Sequence, residues 1–172
     1  MTSSTVSSTS GVTPETVETA EPAALCELRI EASPEIIFRY LTQPEKMALW
    51  LGEVVSFDPA PGGKVHILIS GVHSGSGQTI EVVPNRRLVY TWGWDEPNHP
   101  IPSGSTQVEV DLTPDGDGTI LRLRHSGLPA DAVADHTFGH TQLLHRLAVA
   151  ATGGDTGKAT CDCPACESAA SA

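Results

Sequence analysis

Apolar and polar positions alternate through the middle of this chain, and a helical period takes over towards its end. Leu25, Glu27, Arg29 and Glu31 alternate with Cys26, Leu28, Ile30 and Ala32, the period of a strand with one buried face. Ser33-Pro34-Glu35 then announces a helix. Serine can cap free N–H groups, proline suits the first helical position, and glutamate complements the positive end of the dipole. Ile36, Ile37, Tyr40 and Leu41 supply its apolar stripe. Gln43-Pro44-Glu45 starts a second short helix whose buried face is Met47, Trp50 and Leu51. From Glu53 onward six antiparallel strands are predicted, near 53–57, 64–70, 78–83, 88–94, 105–113 and 119–126, separated by turns at 59–63, 71–77, 84–87, 95–104 and 114–118. The stretch Gly71-x-x-x-Gly75-x-Gly77 reads as a flexible hairpin turn.

Asp131 to Thr152 reads as one long helix ended by Gly153-Gly154, with Asp131 and Asp135 capping and solvating its start. Along it His136, His140, Leu143, Leu144, Leu147 and Ala151 fall at offsets 0, 4, 7, 8, 11 and 15, one face of a 3.6-residue helix. Two imidazoles therefore point where leucines point. Leu88, Tyr90, Trp92 and Trp94 share one face of strand 88–94. On 119–126 Leu121, Leu123 and His125 face inward against Arg122 and Arg124, and Val108, Val110 and Leu112 continue that wall. A one-sided antiparallel sheet needs a cover, and the 131–152 helix is the element long enough to supply it.

Composition limits what folds. Residues 1–20 hold eleven Ser or Thr and no Lys or Arg, too little apolar surface to offset ordering entropy. The expected organisation is a disordered Ser/Thr-rich tail over 1–22, one domain over 23–154 and a flexible, cysteine-containing tail over 155–172. A basic start, an apolar signal run and a membrane-length apolar stretch are all missing, so a cytoplasmic protein is expected, without a membrane partner. The net charge is −11, and residues 22–154 alone carry fifteen acidic against nine basic side chains. Such a surface repels phosphate backbones, which excludes nucleic acid as a partner.

Several segments in order carry a resemblance. They are Ser33-Pro34-Glu35-Ile36-Ile37-Phe38, Pro44-Glu45 followed by Trp50, Pro61-Gly62-Gly63-Lys64, the run from Val83 to Trp92, the run from Gly118 to Pro129, and His136 three residues before Gly139. Together they resemble the START-like (SRPBCC) superfamily, in particular homologues of the C-terminal domain of the activator of heat-shock-protein-90 ATPase, over about residues 24–152. The resemblance implies an α+β helix-grip fold: a seven-stranded antiparallel curved sheet wrapped around a long C-terminal helix, with two short helices after the first strand. It also implies a hydrophobic cavity between sheet and helix, and a link to stress response. His140 stands where the family usually places tryptophan. The full co-chaperone carries a separate N-terminal docking domain that this sequence does not offer, so a chaperone partner is not expected.

The candidate ligand-binding residues are Trp50, Tyr90, Trp92, Trp94, His125, His136, His140 and Leu143. The aromatics serve equally as core, since each buries a large area. His125, His136 and His140 are either core histidines or groups poised for proton transfer or metal ligation near neutral pH. His136-Thr137-Phe138-Gly139-His140 lacks the glutamate of a helical zinc hydrolase, and neither a GxSxG elbow, a Walker loop nor a dinucleotide fingerprint occurs. No cofactor is expected in the domain. Cys161, Cys163 and Cys166 form a CxCxxC tail that could hold zinc or copper(I), with Cys26, a core histidine or a second chain as fourth ligand and a homodimer as one outcome. The leading expectation is binding or carriage of a hydrophobic or aromatic small molecule. The alternatives are a cyclase- or dehydrase-like enzyme using the cavity histidines, and a chaperone ATPase-activator-like interaction module.

Overall fold

The computed structural model describes residues 21–69, 71 and 73–157. The cysteines of the expected metal tail, Cys161, Cys163 and Cys166, lie outside the described residues. The order is β1 (Ala23–Ile30), α1 (Pro34–Thr42), α2 (Pro44–Met47), β2 (Val54–Phe57), β3 (Lys64–Ile69), β4 (His73–Val83), β5 (Arg87–Trp92), β6 (Thr106–Asp115), β7 (Gly118–Ser126) and α3 (Val133–Ala151). The strands form one antiparallel sheet in the order β1-β7-β6-β5-β4-β3-β2. This is the expected α+β helix-grip architecture. No helix among the described residues is long and apolar enough to cross a membrane.

Local chemistry fixes the elements as the residue pattern suggests. Ser33 Oγ accepts from the Ile36 N–H, and Pro34 opens α1. Leu121, Leu123 and His125 of β7 oppose Leu112, Val110 and Val108 of β6, so their side chains meet on the concave face. That face, α1 and α3 bury Ile37, Leu41, Leu88, Trp92, Leu121, Leu144 and Leu147 in one core. The convex face is ionic. Arg87 bridges Glu81, Glu109 and Asp111, and Arg124 also reaches Glu109. The Arg87 guanidinium holds the Glu109 carboxyl below the usual carboxylate range against the opposing effect of burial.

Three expectations need correction. β4 begins at His73, so Gly75 and Gly77 are strand residues rather than a flexible turn. A Cβ on Gly77 would lie 1.8 Å from the Thr91 carbonyl oxygen, and one on Gly75 would lie 2.3 Å from the Trp92 ring. These glycines serve close backbone approach. The long helix starts at Val133 after a single 3-10 turn at Ala130–Ala132, and no side chain caps it, so Asp131 and Asp135 supply charge without a cap bond. Finally, β5 ends at Trp92; Trp94 follows in two isolated bridges, to Gly75 and to Pro102.

α3 packs mainly on β1 and α1, at one side of the sheet, with Cys26 Sγ 3.6 Å from the Thr137 carbonyl oxygen. A second small apolar cluster of Ala24, Ile101 and Leu128, joined by Trp94, Ala132 and Val133, ties the 95–105 loop to the start of α3.

Candidate functional site: three histidines under the helix

β7 and α3 bring the three predicted histidines together. Their ring centroids are 5.2 Å apart for His125–His136, 5.1 Å for His125–His140 and 6.4 Å for His136–His140. The helical i, i+4 spacing places His136 and His140 on one face, and the β7 alternation turns His125 up towards them.

The hydrogen bonds have one consistent direction. Thr106 Oγ1 lies 2.7 Å from the Trp92 carbonyl oxygen, which can only accept, so the single hydroxyl proton of Thr106 is spent there. His125 Nε2, 2.8 Å from the same Thr106 Oγ1, must therefore donate to it. That leaves a lone pair on His125 Nδ1, and His140 Nε2 at 2.9 Å must be its donor. The array thus runs from His140 to His125 to Thr106 to the Trp92 carbonyl. It ends on a backbone oxygen.

His136 stands beside this array. Its Nδ1 lies 2.9 Å from the Ala132 carbonyl oxygen and must donate to it, which puts the lone pair on Nε2. That Nε2 is buried and has no hydrogen-bond partner. A proton placed there would be a buried N–H without an acceptor.

Electrostatics agree with neutral rings at His125 and His140. Burial, and then the neighbouring His140 and His136, push the His125 pKa down to about 3. Burial, and then His136, push His140 down to about 4. His125 is fully buried, the condition under which desolvation weighs most heavily against an imidazolium.

The aromatic residues fall into two groups. Trp92 and Trp94 meet edge to face at 5.8 Å, with Trp92 buried and Trp94 half-buried. Tyr90 meets Phe57 edge to face at 6.3 Å; its hydroxyl has no hydrogen-bond partner among the described residues, and burial pushes its pKa up. Trp50 is buried in the core, and its indole N–H donates to the Tyr40 carbonyl at 2.9 Å. Leu143 is partly buried against the same core. Phe138 points away and is exposed.

Around these lie groups that the sequence did not single out. Asp95 accepts from the hydroxyls of Ser74, Ser76 and Ser103, fastening the loop after β5 to β4. Burial raises the Asp95 pKa, and the three hydroxyls more than offset it, so its carboxyl titrates below the usual value. His73 Nδ1 lies 2.8 Å from Glu96 Oε1 and its ring meets Trp94 edge to face. Thr106 was legible from its place two residues before Val108 on the inward face. The serines around Asp95 carry no such signal, because they come from segments read as turns.

Two of the clefts among the described residues are open to solvent. One, about 190 Å³, lies between β1 and α3 and includes Cys26, Thr141 and His145. The other, about 430 Å³, is a shallow depression beside Thr91, Gly104 and Arg124. Neither is lined by a histidine of the cluster. A Cβ on Gly139, one turn on from His136 and one turn before Leu143, would meet no atom within 4 Å. The side of α3 away from β1 is thus unfilled at this turn. Among the described residues no group of three His, Cys, Asp or Glu is arranged to hold a metal ion. His125 and His140 point nitrogen to nitrogen instead of converging on a common centre.

Comparison with known proteins places the chain. The solution structure of the AHSA1-like protein RHE_CH02687 of Rhizobium etli is 39% identical, spans 78% of this chain and 84% of that one, and superposes with a TM-score of 0.62. The crystal structure of protein MLL2253 of Mesorhizobium loti is 29% identical over 77% of this chain and 98% of that one, at a TM-score of 0.70. The Aha1 dimer of Colwellia psychrerythraea, 21% identical over 77% of this chain and 97% of that one, shares the fold at a TM-score of 0.66. No curated protein matches the sequence. The family model described as activator of Hsp90 ATPase homolog 1-like protein matches residues 31–152, most of the chain and nearly all of its described part, and the chain belongs to that family.

Proposed function

We propose that the protein binds a small, mainly apolar molecule between the concave face of the sheet and α3, with the histidine cluster at the closed end of the site. The observation that carries this reading is the open space at Gly139 on the helix face that also bears His136 and Leu143. Tyr90 of β5 and Trp94 just beyond its end are partly exposed aromatics packed against the same core. Ligand sites of this kind combine an apolar wall with a few placed polar groups, and here those groups are imidazole nitrogens and the unpartnered Tyr90 hydroxyl.

Binding is favoured over catalysis by the low basicity of the buried rings. A general base works best with a pKa near the working pH, and His125 and His140 are held at about 3 and about 4. Native mass spectrometry of freshly purified protein, backed by titration with uncharged apolar compounds, tests the proposal. A stoichiometric non-covalent adduct, or saturable one-to-one binding, supports it. Neither adduct nor binding would contradict it.

A further inference from the structure

The histidine cluster has one buried hydrogen-bonding atom without a partner, and that atom specifies chemistry. Every imidazole N–H is used inside the protein. His140 Nε2–H goes to His125, His125 Nε2–H goes to Thr106, and His136 Nδ1–H goes to Ala132. The free valence at the core of the cluster is the lone pair on His136 Nε2, buried and without a donor. Burying an acceptor unpaired is unfavourable, and the penalty is relieved by any occupant that brings an O–H or N–H.

Resting on the binding site proposed above, we infer that His136 is its specificity-determining residue and that the ligand is an uncharged aromatic or apolar molecule bearing a hydroxyl group, which donates to His136 Nε2. A phenol or enol suits the site in both parts, its ring against Trp94 and Tyr90 and its O–H towards the histidine. A carboxylate does not. It would need N–H donors where the three histidines have none to spare, inside a domain whose net charge over residues 22–154 is already negative. The locked direction of the array matters here. Because Thr106 and the Trp92 carbonyl hold His125 in one tautomer, the neutral cluster cannot turn an N–H outward to receive an anion without breaking a buried bond.

The test compares three ligands of nearly one shape, 2-naphthol, 2-methoxynaphthalene and 2-naphthoate, titrated against the full chain by calorimetry near neutral pH. The expected result is that naphthol binds roughly tenfold more tightly than the methyl ether, the value of one net hydrogen bond, and that naphthoate binds weakest. The preference for naphthol should vanish in His136→Leu. Equal binding of naphthol and its methyl ether, tight binding of naphthoate, or a preference that survives the substitution would overturn the inference while leaving the binding site standing. Failure of all three compounds to bind would overturn both. The imidazole ¹⁵N spectrum of the unsubstituted protein supplies an independent readout should His136→Leu fold poorly. His136 Nε2 should shift on adding naphthol and stay in place with the ether; the reverse, or no difference, contradicts the assignment.

Discussion

His140 Nε2 lies 2.9 Å from His125 Nδ1, and of the two it is His140 that donates. The direction is imposed from the far end, where Thr106 spends its only proton on the Trp92 carbonyl. Histidine ¹⁵N spectra at neutral pH should accordingly report His125 and His140 as Nε2–H tautomers and His136 as Nδ1–H. Thr106→Val removes the acceptor of His125 Nε2–H and should shift the His125 and His140 signals together. An unchanged spectrum in that variant would refute the directional array.

Buried neutral histidines make stability fall with acid. The unfolded rings take up protons near 6.5, whereas in the folded protein His125 waits until about 3 and His140 until about 4. Between about 6.5 and 4 the unfolded chain therefore binds more protons, and folding stability drops as pH drops, by up to about 1.4 kcal/mol per pH unit for each histidine. The depressed carboxylates of Glu109 and Asp95 lose their contribution only at lower pH, as it falls through their folded values. Urea unfolding at pH 7.5 and 5.0 measures the effect. The slope should flatten in His125→Gln; a flat profile in the unsubstituted protein would rule the explanation out.

Replacing the donor separates packing from hydrogen bonding. His140→Leu keeps apolar bulk and strands the His125 Nδ1 acceptor, at an expected loss of about 1–3 kcal/mol. His140→Gln retains an N–H that can reach the same atom and should lose less. Equal unfolding midpoints for the two variants would mean that the imidazole only fills space.

Asp95 should act as the clasp of the 95–105 loop. Its bonds to Ser74 and Ser76 join that loop to β4, its bond to Ser103 closes the loop on itself, and Ile101 seats against Ala24 and Leu128. In Asp95→Ala, amide exchange over residues 94–105 should accelerate markedly, with β6 and β7 keeping their protection. Uniform acceleration across the sheet would show instead that the clasp supports the whole fold.

Two glycines should respond in opposite ways. Gly77→Ala drives a methyl group into the Thr91 carbonyl and should cost about 3 kcal/mol or more. Gly139→Ala meets open space inside a helix and should add up to about 1 kcal/mol. Thermal melts of both variants decide the matter.

These contrasts also mark how far the sequence could be read. The helical offsets of His136 and His140 and the strand alternation through His125 were enough to bring three imidazoles to one place, because both depend only on backbone periodicity. Gly75 and Gly77 were misread because close approach of Trp92 and Thr91 is a tertiary fact, and glycine looks the same in a turn and under a neighbouring strand. The Asp95 clasp was invisible for a related reason, since its serines come from β4 and from the loop after β5. The direction of the histidine array could not be read at all, because it depends on the Thr106–Trp92 distance rather than on residue type. Trp50, a ligand-facing candidate in the sequence, has its indole N–H committed to Tyr40 within the core.

The most direct test of a site beside α3 is to fill it. Gly139→Leu starts from a Cβ that meets no atom within 4 Å and carries its side chain into the space beyond, and leucine favours the helix. Titration of an uncharged hydrophobic dye such as Nile red into the native full chain should give saturable one-to-one binding for the unsubstituted protein, and binding reduced at least tenfold for Gly139→Leu at unchanged or higher thermal stability. Equal binding by the two folded proteins would contradict a ligand site between α3 and the sheet.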